Sequence, residues 1–156
     1  IGAPDQIDIG IWIRENVPQN ALLASNYFCE NACDGVNWFE DDFKLLDETY
    51  NFPSTPNGFG SFDMILPLYA ERKFLIQGSR FLLVNGMDRD EIRSRMKATL
   101  DFANQPDLPN LKKLQNYNVT YFVIDKDSTD NQSWRPFADV LYANQTYLVL
   151  QLSYKL

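Results

Sequence analysis

The chain has 156 residues, 45% hydrophobic and 22% charged, with a formal charge of -7 and a pI near 4.5. That length and apolar content predict one folded domain and exclude disorder, and the negative field works against a nucleic-acid backbone or an anionic lipid surface as partner. No stretch approaches the apolar run of about 20 residues that a spanning helix needs, so the domain itself is expected to be soluble.

The first element, Asp5 to Asn16, carries two periods at once. Ile7, Ile9, Ile11 and Ile13 alternate with other residues as in a strand, while Ile9, Trp12, Ile13 and Asn16 share a helical face. Asp5 after Pro4 as an N-cap, Asp8 in the first turn and a stop at Val17-Pro18 decide for a helix. Ala21 to Ser25, ALLAS, is a short apolar run between turn residues and predicts the first buried strand. Residues 27–60 lose all periodicity among NACDG, NWFEDD and PSTPNGFG, and read as a loop-rich insertion with at most a turn or two of helix near Phe39 to Leu46.

Ser61 to Glu71 spaces Phe62, Ile65, Leu66, Tyr69 and Ala70 as a helix despite Pro67. Lys73 to Gln77 predicts a second strand, and the apolar run Phe81 to Val84 follows. Asp88 with Glu91 opens a helix whose Ile92, Met96, Leu100 and Ala103 share one face up to Gln105-Pro106. Asp107 and Pro109 restart a helix carrying Leu108, Leu111 and Leu114, and a turn at Asn116 to Asn118 delivers the strand Val119 to Asp125. After a polar loop come the segment Trp134 to Ala138, a strand near Val140 to Tyr142, a turn at Ala143 to Gln145 and a strand Thr146 to Leu152, two strands close enough that they must be antiparallel. This order predicts an α/β fold: a three-layer-like central sheet with a parallel core of about three strands, a C-terminal antiparallel hairpin, and helices packed on the faces.

The absence of histidine removes the commonest general base, the usual nucleophilic triads and most zinc chemistry. Gly58-Phe59-Gly60 lacks the preceding strand and the lysine of a phosphate loop, so no cofactor, metal or catalytic residue is assigned. Arg89, Arg93, Arg95 and Lys97 are interleaved with Asp88, Asp90 and Glu91 and read as a solvated helix face. Trp38 and Phe39 precede Glu40, Asp41 and Asp42, a composition found in sugar-binding shelves and carboxylate clefts, although acids near a helix start are also ordinary capping residues. Asp125, Asp127 and Asp130 follow the strand Val119 to Ile124, at the carboxyl edge where open α/β sheets bind ligands. The candidate ligand-binding residues are therefore Trp38, Phe39, Asp41, Asp42, Asp125 and Asp127. Cys29 and Cys33 admit three readings, a disulfide (the favoured one), two reduced thiols, or half of a metal site. Glycosylation sequons begin at Asn118, Asn131 and Asn144, and Asn118, entering a buried strand, is expected to be a poor acceptor.

Four segments, IWIRENVPQNALLASN at 11–26, ERKFLIQGSRFLL at 71–83, LKKLQNYNVTYFVID at 111–125 and FADVLYANQTYLVLQL at 137–152, carry a resemblance. In this order they resemble the extracytoplasmic C-terminal domain that follows the transmembrane helices of bacterial polytopic, glycosyltransferase-like membrane proteins. The first matches as a helix ending in Asn-x-Pro before a strand, the third as a unit of leucine, turn, valine-x-tyrosine and apolar strand. The resemblance implies a membrane-anchored parent, with this domain on the extracytoplasmic face beside the transmembrane region of its own chain. It also implies a glycan or lipid-linked sugar as ligand, with the chemistry elsewhere. The insertion at 27–60 belongs to no shared pattern and the tryptophan-rich signature of oligosaccharyltransferases is missing, so no site residue is carried over. The chain opens at Ile1 without Met and reads as a domain excised from such a protein. A non-catalytic accessory domain is the leading reading. The alternatives are a secreted module that holds a carbohydrate or a protein through Trp38 and Phe39, and a carboxylate hydrolase using two of Glu40, Asp41, Asp42 and Asp125.

Overall fold

The structure is a computed structural model that describes residues 2–26, 65–76, 86–128 and 133–154. Trp38, Phe39, Asp41, Asp42, Cys29, Cys33 and the run Phe81 to Val84 lie outside the described residues.

Helix α1 (Gly2–Asn16) resolves the competition between two periods. Gln6, Ile9, Gly10, Ile13 and Val17 are buried at steps of three and four, whereas Ile7 and Ile11, which a strand would have buried with them, are only half-buried. Its start differs from the sequence expectation. Pro4 sits inside the first turn, where its missing N–H had no partner to lose, so the helix extends back to Gly2 and Asp5 is not the cap. The Asp5 carboxylate instead accepts a hydrogen bond from the Thr146 hydroxyl.

Strand β1 (Leu22–Ser25), helix α2 (Ile65–Ala70) and strand β2 (Lys73–Phe74) follow, and β2 is shorter than predicted. Helix α3 (Arg89–Asn104) is capped by Asp88, whose carboxylate accepts from the N–H groups of Asp90 and Glu91. Helix α4 (Leu108–Asn116) is capped by Asp107, which accepts from Asn110 N–H at 2.8 Å. Two side chains depart from expectation. Leu100 is half-buried because Thr99 and Phe102 take the inward face of α3, and Leu108 is 46% exposed. Two steps of three residues fall about 120° short of two full turns, so Leu108 and Leu114 cannot face the same way.

Asn118, at φ 64°, turns the chain from α4 into β3 (Val119–Asp125), and β4 (Ala138–Ala143) and β5 (Tyr147–Leu152) complete the sheet. The strand order is β2-β1-β3-β5-β4, parallel through β3 and antiparallel beyond it. Alternation along the strands sends Phe122, Ile124 and Leu150 toward Phe102, Leu111 and Leu114, and Leu23, Val123, Tyr147 and Val149 toward Ile9, Ile13 and Leu66. The result is three layers: α1 and α2, the sheet, then α3 and α4.

The α1–α2 contact is tight at Gly10, where an added Cβ would lie 2.7 Å from Tyr69 Cβ and 3.2 Å from the Ala70 nitrogen. Alanine normally favours a helix interior over glycine by about 1 kcal/mol. Here the clash outweighs it, and Gly10→Ala is expected to destabilise the domain by about 1–2 kcal/mol, read as a lower urea midpoint at unchanged slope.

Tyr154, half-buried after β5, donates its hydroxyl to the Val119 carbonyl, and burial pushes its pKa well up. A raised folded-state pKa means a contribution to stability that is intact below the unfolded value of about 10 and lost as pH climbs through the folded one. Tyr154→Phe is therefore expected to flatten the alkaline limb of the stability-versus-pH curve, measured by thermal unfolding on both sides of about pH 10.

Candidate functional site

From β1 the chain runs to β2 on one side, then returns to lay β3 on the other. In an open α/β sheet, such a reversal leaves a crevice beyond the carboxyl ends of the two strands, and ligands bind there. The residues at this edge are Ser25, which ends β1, with Asn26 after it, and Asp125, which ends β3, with the 3-10 turn Lys126–Ser128 after it.

Asn26 closes the seam between the two strands. Its Nδ2 donates to the Asp125 carbonyl at 3.1 Å, and its Oδ1 accepts from the Asp125 N–H at 2.7 Å. A side-chain amide thus supplies the donor and acceptor of one extra ladder rung, with Asn26 3% and Asp125 5% exposed. Asp125 Oδ1 in turn accepts from Asp127 N–H at 3.0 Å and folds the following turn. Lys126 is drawn toward the hairpin: its N–H reaches the Thr146 carbonyl at 3.0 Å and its Nζ the Asn144 carbonyl at 2.7 Å.

Asn144 locks the hairpin to α1. Its Nδ2 donates to the Asp5 carbonyl at 2.9 Å and to Asp8 Oδ2 at 3.0 Å, while its Oδ1 accepts from Thr146 and Tyr147 N–H at 3.1 and 2.8 Å. Tyr142 donates to the same Asp8 oxygen at 3.0 Å and stacks on Trp12 at 4.9 Å. That hydrogen bond to Asp8 is the first cause of a raised Tyr142 pKa, because ionisation would remove the donor, and desolvation adds to it. Of the two described sequons, the one at Asn118 departs from expectation. Asn118 is exposed, because the turn lifts it clear of the strand it precedes, whereas the Asn144 amide nitrogen is fully engaged.

The structure brings Asp125 and Asp127 to one edge, the first buried and holding a turn, the second exposed. Trp38, Phe39, Asp41 and Asp42 lie outside the described residues, so their relation to that edge is not part of the geometry. Asn26 is the residue that sequence reasoning missed. Its signal is modest: an Asn set directly after the buried run ALLAS, where the strand's last backbone groups need partners. Chemically, the edge is a braced platform, with Asn26, Asp125 and Lys126 engaged in holding β1, β3 and the hairpin together.

These features define a mixed α/β domain whose switch-point edge is sealed by side-chain bonds to the backbone. No helix among the described residues is long and apolar enough to cross a membrane. In comparisons with known proteins, no family model matches the chain and no curated protein matches it.

Proposed function

We propose that the chain is a non-catalytic accessory domain on the extracytoplasmic face of a larger, glycosyltransferase-like membrane protein, where it supports or binds a glycan acceptor. One observation carries the reading. The four segments that resemble such domains, 11–26, 71–83, 111–125 and 137–152, contain all five strands of the sheet in the described residues. A resemblance spread over unrelated surface pieces would carry little weight, whereas one that coincides with every strand among the described residues bears on the core they form. The engaged state of Asn26, Asp125 and Lys126 fits a supporting role, since a general acid or base must reach a substrate proton.

The complete reading frame tests this reading. Spanning helices upstream of Ile1 are expected, and a reporter enzyme that works only outside the cytoplasm should be active when fused after Leu156. A frame that begins near Ile1 with only a secretion signal would instead favour an independent secreted binding module.

A further inference from the structure

A cleft of about 420 Å3 lies at the opposite end of the parallel strands, beneath the amino ends of β1 and β3. Asn20, Asn118, Thr120, Tyr121 and Gln151 line it, together with apolar groups such as Leu22, and among the described residues no charged side chain does. None of the five polar side chains makes a hydrogen bond to another described residue. This contrasts with the carboxyl edge, where the side chains of Asn26, Asp125 and Lys126 are engaged internally.

The backbone explains how they come to face one space. Leu22 pairs with Val119 and Leu23 with Tyr121, so Thr120 is an extra residue that the ladder bulges to accommodate, and it is exposed. Bulges re-aim side chains and recur beside binding sites. Asn118, in the left-handed turn just before, is exposed on the same rim.

The geometry points to a carbohydrate site: the cleft binds a neutral saccharide. Each sugar hydroxyl both donates and accepts, and so do the amides of Asn20, Asn118 and Gln151 and the hydroxyls of Thr120 and Tyr121. The tyrosine ring and Leu22 offer an apolar surface for the C–H faces of a pyranose. An uncharged lining in a chain of net charge -7 selects against acidic sugars. The proposal deepens the glycan-acceptor part of the reading above, by naming where the contact is made and what charge the ligand carries.

The test is a titration of the 15N-labelled chain with maltotriose, mannotriose and triacetylchitotriose, following the side-chain amide resonances. Saturable shifts of Asn20, Asn118 and Gln151 are expected with at least one of these sugars, at a dissociation constant of about 1 mM, as suits a small open cleft. Asn118→Gly keeps a backbone that tolerates φ 64° and removes only the amide. That change and Gln151→Ala should each weaken binding about fivefold, and a triuronate of the same length should bind more weakly than the neutral sugar. Shifts that centre on Asn26 and Asp127, or no saturable shift with any of the three sugars, would overturn the cleft as a carbohydrate site. The membrane-domain reading is decided separately by the reading frame, so failure of one is distinguishable from failure of the other.

Discussion

Arg72→Met is expected to destabilise the domain by about 4 kcal/mol. The Arg72 guanidinium donates to five backbone carbonyls. Nε reaches Val17 and Pro18 at 3.2 and 3.1 Å, Nη1 reaches Ala70 and Glu71 at 3.3 and 3.0 Å, and Nη2 reaches Arg14 and Val17 at 2.8 and 2.7 Å. The Arg14 and Ala70 carbonyls belong to the last turns of α1 and α2, where helix carbonyls lack intrahelical partners and carry the negative ends of the helix dipoles, and those of Val17, Pro18 and Glu71 follow directly after the two helices. One planar cation therefore ties two helix ends together just before β2 begins. It also steadies Glu71, which stands at φ 50° where glycine is the usual occupant, with Arg14 3.6 Å from its carboxylate. Methionine preserves the aliphatic stem and deletes every donor. Arg72→Lys should recover less than half of the loss, because a single ammonium keeps the charge but cannot span five carbonyls. Urea midpoints for the three proteins at constant slope check the ordering, and equal midpoints for Met and Arg would refute the assigned role.

Asn26→Leu is expected to cost about 3 kcal/mol, because it removes both buried hydrogen bonds that the Asn26 amide makes to the Asp125 backbone at the end of β3. Asn26→Asp gives a sharper test. It keeps an acceptor for the Asp125 N–H but sets a carboxylate oxygen against the Asp125 carbonyl, where the amide nitrogen now sits at 3.1 Å. That environment raises the pKa of the introduced carboxyl, so its penalty is present at neutral pH and shrinks as the pH falls and the group regains a donor. The deficit of Asn26→Asp relative to the native chain should thus narrow between about pH 7 and pH 5, while that of Asn26→Leu stays constant. Parallel deficits at both pH values would rule out the two-point clamp. Loosening this seam should also raise hydrogen exchange at Asp125 and Asp127 before it affects Phe122, since the strand's interior is held by β1 and β5 on either side.

Much of this architecture is legible in the chain. ALLAS, the Asp88 and Asp107 caps, the helix-to-strand passage from Leu111 to Asp125 and the closing hairpin are local signals, and each is borne out because capping, turn chemistry and apolar periodicity act over a few residues. Where two local signals conflict, as in α1, the packing partner decides: Tyr69 and Ala70 press on Gly10, and a helix brings Gln6, Ile9 and Ile13 onto the inward face while leaving Ile7 and Ile11 half-buried.

The candidate site was less legible. Asp125 and Asp127 are correctly placed at the carboxyl edge by the strand Val119 to Asp125, but nothing in their sequence says that Asp125 is buried and holds the following turn while Asp127 is exposed. Asn26 and Asp125 are separated by 99 positions, and Asn144 and Asp5 by 139, so their pairing exists only once β1, β3 and the hairpin share a sheet. The amino-end cleft likewise gathers Asn20, Asn118 and Gln151 from three distant stretches. By itself the sequence determined the class of fold, the order of its elements and their caps, because those depend on neighbours along the chain. Only the tertiary structure decided which polar side chains hold the fold together and which remain open to a ligand, because that depends on what lies across the sheet.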